Sequence, residues 1–136
     1  MKSRRVARVF SLQTLYAMEV GKLTLPEVIR GVIESLNPDD EQRKYGIKII
    51  EKVIEVKAEL DSELESLLEN WDLPRVAIID RILLHIGMVE LKFFPKIPPK
   101  VAISEAMAIG KKYSTEDTPV FINGILHKVA SSQGSI

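Results

Sequence analysis

Arg4, Arg5 and Arg8 stand close together near the start of the chain. On a helix, Arg4 and Arg8 are one turn apart and Arg5 and Arg8 are three residues apart, so the spacing projects all three to one side. The same arc carries Leu12, Leu15 and Tyr16. Guanidinium groups beside an aromatic ring suit single-stranded RNA, because arginines track phosphates while the ring stacks a base. Lys111, Lys112 and Tyr113 form a second basic and aromatic cluster. Each cluster also has a plain alternative. A basic helix start can simply keep the chain soluble, with Tyr16 in the core, and lysines at a helix C-terminus complement its dipole.

Other chemistries fail on their residue requirements. The two histidines, His85 and His127, have no acid three residues earlier, and no H-E-x-x-H is present. Gly110-Lys111-Lys112 resembles the end of a phosphate loop, but Glu105 occupies the place of the upstream glycine and no Ser or Thr follows the lysine. G-x-G-x-x-G and G-x-S-x-G are missing. Glu51, Glu55 and Glu59 share a helix face with Lys48 and Lys52, which reads as a solvated, ion-paired surface. With no cysteine in the sequence, a disulfide framework, a thiolate zinc site and a cysteine nucleophile are excluded. The expectation is a non-enzymatic protein without cofactor or metal.

The chain has 136 residues and 46% apolar residues, which suits one soluble domain able to bury a core of its own. No apolar run reaches the roughly 18 residues of a membrane span, and no signal-peptide pattern follows Lys2, Arg4 and Arg5. The expected setting is the cytoplasm, away from membranes. A net charge of zero hides an asymmetry. Residues 1–18 carry four bases and no acid, residues 19–73 seven bases against fourteen acids, and residues 74–136 eight bases against five acids. Two basic ends flanking an acidic middle favour an anionic partner in one place and repel it in another.

The elements that must position these residues read as helices throughout. Ser3 caps a first helix to about Val20, stopped at Gly21. Thr24 and Glu27 have capping-box spacing for a second helix over about 25–36. Asn37-Pro38-Asp39-Asp40 signals a third, from about 38 to the high fifties. A break near Asp61 is expected to begin a fourth, ending around Asn70. Trp71-Asp72-Leu73-Pro74 is a tight connection, with Trp71 expected to be buried as an anchor between two halves. A fifth, deeply buried helix runs to about Phe94. The proline-dense 95–99 is a loop, and further helices cover about 100–113 and 119–131. In the last, Gly124 is expected to allow close backbone approach, and Asn123 to bond a neighbouring backbone group or a ligand. The predicted architecture is all-α: about seven helices in two small bundles packed together, about 1–70 and about 71–136, within one domain.

Five segments in register resemble the NusB family of bacterial transcription antitermination factors. They are Arg4-Arg5-Val6-Ala7-Arg8 with Leu12-Gln13-Thr14-Leu15-Tyr16, Trp71-Asp72-Leu73-Pro74-Arg75, Asp80-Arg81-Ile82-Leu83, Pro99-Lys100-Val101-Ala102-Ile103-Ser104-Glu105-Ala106, and Phe121-Ile122-Asn123-Gly124-Ile125-Leu126. The resemblance implies two helical subdomains and no enzymatic activity. It implies binding of the boxA element of nascent ribosomal RNA transcripts, together with a ribosomal small-subunit protein acting as NusE. NusA, NusG and RNA polymerase complete the implied complex. The candidate RNA-binding set is Lys2, Arg4, Arg5, Arg8, Gln13, Tyr16, Lys111, Lys112, Tyr113, Phe121 and Asn123. Asp80 and Arg81, expected to stay exposed at an edge, are assigned to the protein partner. The sequence departs from the family pattern at Val6, Val89, Ser104 and His127; Val6 shortens the arginine run. The rival reading is a helical protein–protein adaptor without RNA binding. Both a monomer and a homodimer are compatible with the sequence.

Overall fold

A computed structural model describes residues 3–68 and 72–135. Lys2 and Trp71, and with Trp71 the expected anchor, lie outside the described residues. Six α-helices follow in order: α1 (Arg4–Gly21), α2 (Leu25–Leu36), α3 (Asp40–Leu67), α4 (Ile78–Phe93), α5 (Pro99–Tyr113) and α6 (Thr118–Ser132), with a 3₁₀ turn at Leu73–Arg75. The chain is all-α, as its periodicity predicts, and no strand occurs among the described residues.

Local chemistry sets most helix ends. Ser3 accepts a hydrogen bond from the Arg5 backbone N–H at 3.2 Å, satisfying one donor of the first turn. Glu27 accepts from the Thr24 backbone N–H at 3.1 Å, one half of a capping box. Asn37 does not start α3. It ends α2 in the left-handed region with φ of 48°, donating to the Ile33 carbonyl at 2.8 Å. Asp39 caps α3 instead, exchanging hydrogen bonds of 2.8 and 2.9 Å with Gln42.

The expected break at Asp61 does not occur, and α3 runs unbroken for 28 residues. Val53, Val56, Leu60 and Leu64 form one buried stripe that continues through the site of the predicted break. No glycine or proline interrupts it between Gly46 and Pro74. Asp61 faces His85 at 2.6 Å and caps nothing. Six helices therefore replace the predicted seven.

The centre of the molecule is α4, in which Ile82 to Glu90 are all buried. It packs against α1, α3, α5 and α6. Leu83, Leu84, Ile86 and Met88 are fully enclosed, and each such side chain contributes about 1.5–3 kcal/mol. A smaller cluster of Phe10, Val28, Val32 and Ile50 forms where α2 packs on α1 beside α3. Two glycines set how closely helices approach. A Cβ on Gly46 would lie 2.6 Å from the Phe10 ring, and one on Gly87 2.6 Å from Leu126. Gly124, expected to serve this purpose, is exposed and has nothing within 4 Å of a Cβ position. It lies on the outer side of α6, where no helix crosses it.

Candidate nucleic-acid interface

The first two turns of α1 carry the arginines, but they do not share one exposed face. Arg4 and Arg5 are exposed, while Arg8 is buried at 2% exposure. Successive residues on a helix differ by about 100°, so the arc containing Arg8, Leu12 and Leu15 turns inward once α1 meets α4. Arg8 donates to Glu90 from Nε at 2.8 Å and from Nη2 at 2.9 Å, and to Glu105 from Nη1 at 3.1 Å. Tyr45 donates its hydroxyl to Glu90. Burial works against the Arg8 charge, but the hydrogen bonds and charge of Glu90 outweigh it, and its pKa is raised. Burial, then the charge of Glu90, raise the Tyr45 pKa, so its hydroxyl stays protonated as a donor.

Arg5 forms a fork on Glu105, donating from Nε at 3.2 Å and from Nη2 at 2.5 Å. Its hydrogen bond holds the Glu105 carboxyl below the usual carboxylate range. The Arg5 side chain still keeps 53% of its surface exposed. Arg4 lies with its guanidinium 5.2 Å from the centre of the Tyr45 ring and has no carboxylate partner among the described residues. Two cations thus remain accessible at this end of α1, and Arg4 has the freer charge.

The other candidates fall on two more helices. Lys111 and Lys112 are exposed in the last turn of α5, where they complement its dipole. Lys112 lies 5.4 Å from the centre of the half-buried Tyr113 ring. Phe121 and Asn123 are half-buried on α6. On α1, Tyr16 is 39% exposed and Gln13 half-buried. The basic end of α5 lies six residues beyond Glu105, about 9 Å along the axis. The two clusters are therefore separated along α5 and do not form one continuous patch.

Asp80 and Arg81 are not free at an edge. Asp80 accepts from the Ser114 hydroxyl at 2.6 Å and the Thr118 hydroxyl at 3.0 Å, pinning α4 to the α5–α6 connection. Arg81 pairs with Glu19 of α1. Asp80 also lines a shallow cleft with Arg75, Ala77, Asp117, Thr118 and Phe121. Both residues are therefore half-buried rather than free, each held by a different neighbour: Asp80 by the α5–α6 connection and Arg81 by α1.

Glu90, Glu105 and Tyr45 complete the arginine cluster, and none stood among the sequence candidates. Glu90 did carry a signal. An acid inside the apolar run of a buried helix requires a cationic partner. Tyr45 and Glu105 carried none.

Among the described residues, no group of His, Asp or Glu could hold a metal ion, and no helix is long and apolar enough to cross a membrane. Residues 5–131 match the model of the NusB family. The chain is 40% identical to the transcription antitermination protein NusB of Chloroherpeton thalassium over 91% of its length, and spans 59% of that relative. It is 37% identical to the protein of that name from Myxococcus xanthus, over 96% of both chains. A solved complex of antitermination factors NusB and NusE with dsRNA contains a chain that is 25% identical, with a TM-score of 0.87 and coverage of 97% of this chain and 98% of that one. The fold has its counterpart there, and the family match extends over nearly the whole sequence: the chain belongs to the NusB family.

Proposed function

We propose that this chain is a transcription antitermination factor that binds RNA without catalysing a reaction. Its ligand is single-stranded RNA of the boxA type in nascent ribosomal RNA transcripts. Its protein partner is a ribosomal small-subunit protein acting as NusE, and the pair works with NusA and NusG on RNA polymerase. The observation that carries this reading is the exposed first turn of α1. There Arg4 has no carboxylate partner among the described residues and Arg5 stays half-exposed while held in a fixed orientation by Glu105. Such guanidinium groups offer phosphates a preset contact. In this reading Lys111, Lys112 and Tyr113 on α5 and Phe121 and Asn123 on α6 add further RNA contacts apart from the first turn of α1, and Asp80 with Arg81 is assigned to the protein partner. Relatives named for antitermination, and the NusB–NusE–dsRNA complex, support the assignment.

One observation favours the adaptor reading: Arg8, and in part Arg5, already have carboxylate partners inside the protein. The two readings separate in a binding titration. A labelled boxA-like strand is titrated with the chain alone, with the ribosomal protein alone and with both. RNA affinity that rises when both proteins are present supports the proposal. A protein–protein complex that forms normally and leaves the RNA affinity of the ribosomal protein unaltered overturns it in favour of the adaptor.

A further inference from the structure

Cations and aromatic rings alternate along the face where α3 meets the C-terminal end of α4. Arg4 stacks on Tyr45, and Tyr45 meets Phe94 nearly edge-on, with ring centres 5.6 Å apart and planes at 73°. The Lys48 ammonium lies 5.6 Å from the centre of the Phe94 ring, and that of Lys52 lies 4.9 Å from the centre of Phe93. Phe93 is 37% exposed and Lys48 is exposed, while Phe94 and Lys52 are half-buried. The series starts at Arg4, the cation already singled out at the tip of α1.

From this arrangement we infer that the strip Tyr45–Lys48–Lys52–Phe93–Phe94 is a second stretch of the RNA-binding surface, taking the single strand onward from Arg4. The inference rests on the RNA reading above. An ammonium over an exposed ring is held weakly, whereas a base stacked on a ring is held more firmly. A base therefore takes the ring face, and the displaced lysine swings on its flexible stem to the neighbouring phosphate. Lys48 and Lys52 are one helical turn apart, about 6 Å, a spacing that suits consecutive phosphates of an extended strand. Stacking on a ring is tolerant of sequence, so this stretch adds length and affinity and leaves base choice to the rest of the surface. A protein ligand fits less well, because docking on Phe93 and Phe94 would bury the ammonium groups with them at a desolvation cost. Lys52 also holds Glu55 at 2.8 Å and the exposed Glu51 lies between the two lysines on α3, so a phosphate takes Lys52 only by displacing a carboxylate.

The test uses the full chain and oligouridines of about 5 and about 12 nucleotides, a range typical of single-strand sites. Phe93→Ala is the first variant, since its ring is partly exposed and its loss spares the enclosed core. Lys48→Ala with Lys52→Ala is the second, and thermal melting checks that each variant is folded. The expected result is about tenfold weaker binding of the longer strand by Phe93→Ala, with the shorter strand unaffected. The double lysine variant flattens the longer strand's log–log salt slope by about 1.4. A 4-thiouridine in the distal part of the strand cross-links to the peptide that contains Phe93. If the wild type binds both strands, Arg4→Ala weakens both, and neither new variant changes either, the strip is no RNA track and the first-turn site stands alone. If the wild type binds neither these strands nor a boxA-like strand, alone or with the ribosomal protein, the RNA reading falls and the strip falls with it.

Discussion

Arg8 of α1 and Glu90 of α4 face each other in the interior as a two-pronged ion pair, with N–O distances of 2.8 and 2.9 Å. Their side chains are 3% and 1% exposed. Glu105 and the Tyr45 hydroxyl complete the cluster, so four helices meet at it: α1, α3, α4 and α5. A charged pair this deep is costly to desolvate, and its value lies in the penalty for losing one member. The pair holds the first turn of α1 against the body of the protein, and Arg4 and Arg5 project outward from that base.

Glu90→Ala leaves Arg8 buried beside Glu105 alone and is expected to lower stability by about 3–5 kcal/mol. Replacing both members, as Arg8→Met with Glu90→Leu, is expected to recover most of that loss. Urea unfolding of the single and double variants measures the difference. An unchanged midpoint for Glu90→Ala would show that the pair is not buried in solution.

The salt dependence of RNA binding reports which arginines reach phosphates. With Arg4, Arg5 and one of Lys2, Lys111 or Lys112 each neutralising one phosphate, the log–log slope is about −2.1; Arg8 as a fourth contact would make it about −2.8. Arg4→Ala with Arg5→Ala should flatten the slope by about 1.4 units. Parallel slopes for this variant and the wild type would remove both arginines from the RNA.

His85 gives the fold a pH dependence of known sign. Burial lowers its pKa; the hydrogen bond and charge of Asp61 oppose this, and the charges of Arg81 and Lys57 add to it. The unfolded chain therefore takes up a proton near the ordinary histidine value of about 6.5, before the folded chain does. This contribution is fully present above that pH and declines as the pH falls from there toward the folded pKa. Melting temperatures of the wild type and His85→Gln between about pH 7.5 and 5 test it, 6.5 being the reference value. A wild-type curve no steeper than that of the variant would count against the assignment.

Asp80→Ala removes the acceptor shared by Ser114 and Thr118. It should destabilise the free chain by about 1–3 kcal/mol. Partner binding by this variant is therefore to be measured at a temperature where it is fully folded. If binding to the ribosomal protein is then normal, Asp80 serves the α4–α6 junction alone.

Two glycine substitutions are expected to move stability in opposite directions. Gly87→Ala drives a methyl group into Leu126 and should cost about 1–3 kcal/mol, less any gain in helix propensity. Gly124→Ala meets open space and should add up to about 1 kcal/mol from helix propensity. Calorimetric melting of both variants decides; equal shifts would mean that the α4–α6 approach is looser than described.

Helical class, most helix ends and the basic first turn of α1 were legible in the sequence because they depend on neighbours along the chain. Ser3, the spacing of Thr24 and Glu27, and the 3.6-residue apolar period act within one or two turns. Asn37 was misassigned because the same residue can start one helix or end another, and only backbone geometry separates the two. The break expected at Asp61 failed because the stripe through Leu60 and Leu64 has its partners on α4, far along the chain. The fate of the arginines was a tertiary matter as well. Residue spacing puts Arg8 beside Arg4 and Arg5 on a helix, but whether that side meets solvent or another helix depends on where α4 and α5 pack. Glu90 and Glu105 lie 82 and 97 residues away from Arg8, so no local pattern couples them. Packing turned one of three similar arginines into an internal strut and left two at the surface.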